Sequence, residues 1–189
     1  MKIGYRKINK ILLIYFRMTD KLEDENFIQR CIDLSKQSVE NGGAPFGALV
    51  VKNGEIIADS INNAQNKVSD HAEILVLDKA HKNLGNSNLS SCVLYSNCEP
   101  CPMCAFMIRE YRIKKVVFAV PSPAMGGSSK WNILQDNELT KFPNFFGKPP
   151  EVISGILEDE ARSVFDKFEP LKEIFGSDAK NEERFKDNS

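Results

Sequence analysis

The sequence has no surplus of charge of either sign and no long hydrophobic run. Its 189 residues include 25 Lys and Arg against 26 Asp and Glu, which gives a formal net charge of -1. Proteins that bind a nucleic-acid backbone over a broad surface carry an excess of basic residues. The composition therefore excludes a broad basic surface, although a local basic patch is still possible. The apolar run at 11–16 is too short to cross a bilayer, and we therefore expect no membrane partner.

Cysteine and histidine are also scarce, with five and two residues respectively. The odd number of cysteines, with no cleavable signal peptide before them, favours a reducing cytoplasm over a disulfide framework. In such a compartment, a close cysteine pair is more often metal-binding or catalytic than cross-linked. Of the five, Cys31, Cys92 and Cys98 are expected to be small buried residues.

The two ends of the chain differ from its middle. Residues 1–20 are basic, and we interpret them as an N-terminal extension: an extra helical turn, a surface anchor, or sequence upstream of a true start at Met18. Residues 21–175 are expected to form a single domain, which a new helix opens after Met18. Residues 176–189 are polar and charged, and a flexible tail is expected there.

The middle of the chain alternates between patterns typical of helices and of strands. Apolar residues recur at helical spacing over 25–41, and two apolar runs flank Asn53-Gly54, the strongest short signal for a hairpin. Further along, helices are predicted at 72–82, 102–112, 131–139 and 158–175, and strands at 91–97, 114–120 and 151–157. This order predicts an α/β protein, a three-layer α/β/α sandwich with a mixed sheet of about five strands.

Two motifs place metal-ligating side chains at the starts of two predicted helices. His71 precedes one of them, and Cys101 and Cys104 stand one turn apart where Pro102 begins the other. A helix start carries partial positive charge, which favours thiolate over thiol. One imidazole and two thiolates are three ligands, so a tetrahedral zinc held by them keeps its fourth position for water. This open arrangement is typical of a catalytic site.

Other residues near the motifs also fit a catalytic centre better than a structural one. His81 lies ten residues beyond His71 on the same helix and is expected to face elsewhere, as a surface or satisfied histidine. Glu73 is a carboxylate that the metal does not need as a ligand, and it can transfer protons during a reaction. A redox pair at Cys101 and Cys104 is the alternative, and it leaves His71 and Glu73 unexplained.

The sequences "HAE" at 71–73 and "PCPMC" at 100–104 resemble the signature of the cytidine deaminase-like superfamily. The resemblance extends over about residues 27–168 and includes the order of the predicted elements. It implies a zinc-dependent hydrolase that releases ammonia from an amino-substituted heterocycle. Zinc would lower the pKa of a water towards about 7, and Glu73 would carry protons to the leaving amine. Families of this type usually form homodimers, which is the expectation here.

Within the superfamily, two segments resemble the guanine deaminases and tRNA adenosine deaminases: "GGAPFGALVVKNGEIIADSINN" at 42–63 and "CEPCPMC" at 98–104. This resemblance implies that Phe46 stacks on a base and that Asn62 hydrogen-bonds the ring or sugar edge. It also implies that the backbone N–H of Ala72 points into the site. As alternatives, Phe46 is a core residue and Asn62 a turn residue.

The preferred substrate is a free, guanine-like base, because the chain has no basic surplus for phosphate-dominated binding. The alternative is a tRNA-specific adenosine deaminase, which converts adenosine to inosine and needs phosphate contacts and a flipped-out nucleotide. "YRIKK" at 111–115 is the best candidate patch for RNA. A third hypothesis is a non-catalytic relative that binds zinc. Glu73 would have no role in such a protein.

Two segments depart from the resemblance. Residues 62–70 lack the Asp-Pro-Thr-Ala that usually precedes the histidine, and Asp70 replaces a small or apolar residue beside the ligand. Residues 121–150 form a long loop region with four aromatic residues. These either close as a lid over a flat base or pack between subunits, and packing is expected for at least two of them: Trp131, Phe142, Phe145 and Phe146.

Overall fold

Five helices and five strands make up the regular structure of the described part of the chain. The computed structural model describes the backbone of residues 3–181 and the side chains of residues 18–179. The helices are α1 (Ile3–Glu40), α2 (Ala72–Leu84), α3 (Pro102–Glu110), α4 (Glu158–Phe165) and α5 (Glu169–Phe175). The strands are β1 (Gly47–Lys52), β2 (Glu55–Ile61), β3 (Val93–Cys98), β4 (Lys115–Val120) and β5 (Glu151–Ser154). Short 3-10 helices lie at Glu138–Lys141 and Ser177–Asn181.

The strands form one mixed sheet in the order β2-β1-β3-β4-β5. β1 runs antiparallel to both β2 and β3, whereas β3, β4 and β5 are parallel to one another. The hairpin between β1 and β2 turns at Asn53 and Gly54, whose φ angles of 53° and 78° match the positive values that a type I′ turn requires. The predicted hairpin and mixed five-stranded sheet are therefore confirmed.

Helices cover both faces of the sheet. Along β1, Ala48 and Val50 face one hydrophobic core while Leu49 and Val51 face the other, because successive side chains of a strand point to opposite faces. α2 and α3 contribute to the first core, and α1, α4 and α5 contribute to the second. This arrangement is the predicted three-layer α/β/α sandwich.

The parallel strands bring two loops to the same edge of the sheet. β3 ends at Cys98 and β4 ends at Val120, which is its register partner. The segments that follow the two strands therefore lie side by side. In an open α/β sheet, ligands bind outside this carboxyl edge.

Three elements differ from the sequence-based expectations. α1 runs from Ile3 to Glu40 without interruption, so the helix start expected after Met18 is wrong. Residues 131–139, predicted to be a helix, form turns and the beginning of a 3-10 helix. The helix predicted over 158–175 is divided into α4 and α5, because Pro170 lacks an N–H and fits only in the first turn of a new helix.

The segment after α5 is attached to α4. Ser177 donates to the carboxylate of Asp166 from its backbone N–H at 2.7 Å and from its hydroxyl at 2.6 Å. These bonds lower the pKa of Asp166. The segment expected to be a flexible tail thus begins with a hydrogen-bonded turn, and residues 182–189 lie outside the described residues. No helix within residues 3–181 combines the length and apolarity that a membrane crossing requires.

The long loop region after β4 is fastened to the end of α3. Arg109 of α3 is fully buried, and its guanidinium donates to four backbone carbonyls of this region at 2.8–3.1 Å: those of Ile133, Leu134, Asp136 and Gly147. Hydrogen bonds to one side chain thus order a segment that has little regular structure of its own.

Candidate active site

Two helix starts carry the motif residues. His71 precedes α2 and Cys101 precedes α3, and both have extended backbones, with φ -67°, ψ 148° and φ -66°, ψ 171°. Neither side chain makes a capping hydrogen bond, so each is free to point away from its own helix. Pro102 begins α3, where its missing N–H costs no helical hydrogen bond, and Cys104 follows within the first turn.

The three predicted metal ligands lie within contact distance of one another. His71 Nδ1 is 3.5 Å from the Sγ atoms of both Cys101 and Cys104, and the two sulfurs are 3.6 Å apart. Tetrahedral zinc at standard bond lengths separates a sulfur and a nitrogen ligand by about 3.5 Å and two sulfurs by about 3.8 Å. The donor set and its spacing therefore fit zinc, and the described side chains form no other such group.

The two cysteines of the cluster differ in pKa. The interaction with the side chain of Cys104, reinforced by a hydrogen bond with His71, lowers the pKa of Cys101 to about 4. The same interaction, together with burial, raises the pKa of Cys104. The lowered pKa favours the thiolate form of Cys101, at a helix start that favours negative charge. Thiolate is the form in which cysteine binds a metal.

Glu73 lies in the first turn of α2 with 5% of its surface exposed. Its carboxylate accepts hydrogen bonds from Ser96 Oγ at 3.3 Å and from Cys104 Sγ at 3.6 Å. Burial, followed by the negative charge of Cys101, raises its pKa. A buried carboxyl group with a raised pKa beside the ligand cluster is suited to take and give protons.

A cavity of about 220 Å³ adjoins the cluster. Its lining combines His71, Glu73 and Cys101 with a mainly apolar set of residues: Ala44, Phe46, Asn62, Ala64, Cys98, Glu99, Ser122, Met125, Leu171 and Phe175. Larger hollows, of about 520, 510 and 390 Å³, lie elsewhere on the described surface, and none of these three is lined by a ligand residue or by Glu73. The smaller cavity is the candidate active site, because it unites the ligands with a proton carrier.

The chain also matches known proteins over these residues. Residues 21–120 match the model of the cytidine and deoxycytidylate deaminase zinc-binding region. The chain belongs to this deaminase family. The predicted zinc-dependent hydrolytic deaminase of the cytidine deaminase-like superfamily is therefore confirmed, as are its fold and its zinc cofactor.

Two kinds of family member resemble this deaminase. The tRNA-specific adenosine deaminase of Bacillus subtilis (strain 168) is 38% identical over 149 residues, covering 77% of this chain and 88% of that protein. The guanine deaminase of the same organism is 44% identical over 101 residues, covering 52% and 65%. A solved structure from a study of A-to-I editing by tRNA:A34 deaminases has a TM-score of 0.67 at 30% identity, covering 74% of this chain and 98% of that one.

The substrate-binding residues predicted for this deaminase lie at different places relative to the cavity. Phe46 lines it, and its ring also packs edge-on against Phe165 and Phe175, with centroids 5.6 and 6.2 Å away. Asn62 lines the cavity with 4% of its surface exposed. Ala72 is fully buried as the first residue of α2 and does not line the cavity, so a substrate contact through its backbone N–H stays a prediction.

Two buried polar residues of β3 support the site of the deaminase, and sequence analysis does not find either. Ser96 is the hydroxyl donor to the buried carboxylate of Glu73. Asn97 accepts a hydrogen bond from Gly47 N and donates one to Pro45 O, each at 2.9 Å, which fixes the backbone on both sides of Phe46. Their signal in the sequence is a pair of polar residues inside an apolar strand, which implies buried hydrogen bonds.

The C-terminal helices close another side of the cavity. Leu171 and Phe175 of α5 line it. Arg162 of α4 holds the end of α5 by donating to the carbonyl oxygens of Phe175 and Gly176 at 3.1 and 3.3 Å. The apolar spacing of this segment predicts helix but not what the helix covers, so sequence analysis misses these residues as well.

Asp70 acts in the loop before α2 rather than in the cavity. Its Oδ2 accepts a hydrogen bond from Asn63 Nδ2 at 3.2 Å, and its carbonyl oxygen accepts one from Asn63 N at 2.9 Å. Its Oδ1 pairs with Lys67 Nζ at 3.4 Å. These bonds close residues 63–70 into a short loop from which Ala64 reaches the cavity.

The long loop region contributes Met125 to the cavity, and none of its four aromatic residues. Trp131, Phe142 and Phe145 are exposed by 59%, 57% and 62% of their surface. Within one chain, the structure therefore does not support the alternative of an aromatic lid over the base.

The remaining predictions concern His81 and the other cysteines. His81 lies outside the ligand group, as expected. The expectation is a surface or satisfied histidine; the residue is half-buried, and its Nδ1 is buried without a hydrogen-bond partner among the described residues. Cys31, Cys92 and Cys98 are buried, as expected.

Proposed function

We propose that this deaminase hydrolyses the exocyclic amine of a purine, and that adenosine in a tRNA is its leading substrate. The reaction type rests on one observation: His71, Cys101, Cys104 and Glu73 meet at one cavity. The choice of substrate rests on how much of the chain matches each kind of relative. The match to a tRNA-specific adenosine deaminase covers 77% of this chain, against 52% for a guanine deaminase. The comparisons thus support the alternative named from the sequence better than its preferred guanine-like base.

The residues of the cavity divide the reaction between them. Zinc, when held by His71 and the two cysteines, lowers the pKa of a water towards about 7. Phe46 offers its ring to the base and Asn62 an amide to the base edge. Glu73 takes the proton of the attacking water, places it on the ring nitrogen and then delivers a proton to the departing amine. A carbon–oxygen bond replaces the carbon–nitrogen bond, and ammonia leaves.

A guanine-like free base is the second candidate, because the basic patch expected at 111–115 is poorly placed to hold RNA phosphates near the cavity. Lys115, from the expected basic patch at 111–115, begins β4, whereas the cavity lies beyond the end of that strand. Its ammonium pairs with Asp24 at 2.8 Å. The guanidinium of Arg112 is occupied by backbone carbonyls, among them that of Pro143 at 2.8 Å.

The experiment is a side-by-side assay of guanine and a tRNA anticodon stem-loop that contains adenosine, at low and moderate salt. Turnover of the stem-loop that falls steeply with salt supports the leading substrate, because phosphate contacts release counterions. Turnover of guanine alone, insensitive to salt, replaces it with the second candidate. Glu73→Gln is the control for contaminating activity in both assays.

Three further properties of the protein are proposed. We propose that residues 21–175 are the catalytic domain, since α5 still lines the cavity. A homodimer is proposed because apolar side chains are exposed on and near α3, among them Phe106 at 43% and Phe145 at 62%. A cytoplasmic location is proposed because the five cysteines are free thiols.

A further inference from the structure

Glu99, two residues before the ligand Cys101, has a buried carboxylate that the proposed reaction does not use. It lines the cavity with 4% of its surface exposed. Its Oε1 accepts hydrogen bonds from the backbone N–H groups of Ser128 and Ser129, at 3.0 and 2.7 Å. Its Oε2 accepts from the backbone N–H of Ser122 and from the hydroxyl of Ser129, at 2.7 and 2.8 Å.

These four hydrogen bonds define what the carboxylate of Glu99 can do. An ionised carboxylate has about four acceptor positions, and all are used, so Glu99 has none left to take a proton from a substrate. All four donors are uncharged and lie in residues 122–129. A buried charge is costly unless hydrogen bonds compensate it. The charge on Glu99 therefore depends on the backbone conformation of residues 122–129, and that conformation depends on the charge.

Two glycines let the segment approach the carboxylate and α3. A Cβ atom at Gly126 would overlap the carboxylate of Glu99, and one at Gly127 would overlap the side chain of Ala105 in α3. Gly127 N donates to Pro100 O at 2.8 Å. The segment is therefore packed directly against the chain that carries the ligand cysteines.

The same segment supplies part of the cavity wall. Ser122 and Met125 line the cavity, the first 2% exposed and the second 44% exposed. We propose that Glu99 is a positioning residue that fixes residues 122–129 as the specificity-determining wall, with Met125 as the contact to the substrate. Methionine is apolar, unbranched and polarizable, which suits contact with a flat ring. The inference rests on the proposed function of this cavity and names the residues that select its substrate.

Glu99→Gln is the main test. Glutamine keeps one side-chain oxygen and replaces the other with an NH2 that would face N–H donors. Either the amide of Ser122 or the amides of Ser128 and Ser129 therefore lose their acceptor. We expect their hydrogen exchange to accelerate about tenfold or more while zinc content is unchanged. KM for the substrate that is turned over, guanine or the stem-loop, should rise about tenfold with kcat changed less than about threefold. Glu99→Asp, which keeps the charge, should restore part of the protection.

Met125→Ala tests the contact itself. Its side chain is half-exposed, so the variant should fold, and we expect the ratio of kcat/KM between guanine and the stem-loop to change about tenfold. Glu110→Gln, the same exchange at an exposed position of α3, is the matched control for Glu99→Gln.

Unchanged amide exchange in Glu99→Gln overturns the inference. So do a KM and a substrate ratio that stay at wild-type values in both Glu99→Gln and Met125→Ala. If Glu99→Gln folds poorly, Ser129→Ala, which removes only the hydroxyl donor, and Met125→Ala decide instead. A wild-type protein that turns over neither probe refutes the proposed substrates, and amide exchange then still decides the positioning role.

Discussion

The ligand side of the cavity and its covering side are built in different ways. His71, Cys101 and Cys104 stand in two short motifs at two helix starts. Met125 and Phe175 on the covering side belong to segments that are held by hydrogen bonds outside any motif: Ser128 N donates to Glu99, and Arg162 donates to Phe175 O. Variants on the ligand side should therefore abolish the reaction, whereas variants on the covering side should change which substrate is bound and how well.

Loss of a ligand is the largest expected effect. Cys104→Ala leaves two ligands in place of three, so we expect zinc to fall from one per chain to well below that value and deamination to disappear. Metal analysis of the purified protein, with ammonia release from guanine and from the stem-loop, measures both. Cys92→Ala, at another buried cysteine, should keep its zinc. Stoichiometric zinc in Cys104→Ala would remove this residue from the ligand set.

Loss of the proton carrier comes next. Glu73→Gln keeps the size of the side chain and should keep zinc and fold, but kcat should fall by about 10²–10⁴ because general acid–base catalysis is lost. Single-turnover assays with metal-loaded protein give this value, and Glu110→Gln is the exposed control. Wild-type turnover in Glu73→Gln would mean that another group carries the proton.

On the covering side, Phe175→Ala should reduce both stability and substrate binding. Phe175 is 2% exposed, and deleting a buried phenylalanine side chain costs about 3–5 kcal/mol of unfolding free energy. Removing its ring also opens the cavity, so KM should rise more than kcat falls. Denaturant unfolding and steady-state kinetics measure the two effects.

The exposed Phe142 provides the matched control for this change, because Phe142→Ala should alter stability by less than about 0.5 kcal/mol. Leu171→Ala removes a smaller, half-buried side chain from the same wall. If KM is unchanged in both Phe175→Ala and Leu171→Ala, α5 does not contact the substrate.

The smallest effect concerns the attachment of Ser177 to α4. Hydrogen bonds from Ser177 lower the pKa of Asp166, so the folded form binds its proton less readily than the unfolded form. The stabilisation is present above the unfolded pKa of about 3.9 and is lost as the pH falls through the lower folded value. Exchange of the Ser177 amide should therefore accelerate, after correction for intrinsic rates, as the pH falls below about 4. Asp166→Asn should show no such pH dependence.

The difference between the two sides also explains what the sequence predicts. The ligands and Glu73 stand in two short recognisable motifs, at 71–73 and 100–104, and the turn is the dipeptide Asn53-Gly54, so pattern analysis finds them although the two motifs are about 30 residues apart. Glu99 stands inside the recognisable "CEPCPMC" motif, but its hydrogen-bond partners lie 23 to 30 residues away in a loop without periodicity. No local pattern predicts that contact.

The prediction of helix boundaries is wrong for a related reason. The helical pattern of 158–175 is real, but Pro170 divides it, and the direction of α5 after that break is set by its packing over the cavity. The substrate is harder still to predict, because Met125, Leu171 and Phe175 meet only through the tertiary fold.

The hydrogen bonds of Arg109 place few restrictions on the amino-acid sequence of the long loop region. Its guanidinium donates hydrogen bonds only to backbone carbonyls, and every amino acid has a backbone carbonyl. None of these four bonds depends on the identity of a side chain in the loop region, and the limits at these positions come from packing instead: Leu134 is fully buried, and a Cβ at Gly147 would meet Arg112. A library randomised at exposed positions of this region should yield mostly folded, zinc-loaded proteins, which makes the region a place to graft new surface recognition onto an unchanged catalytic centre.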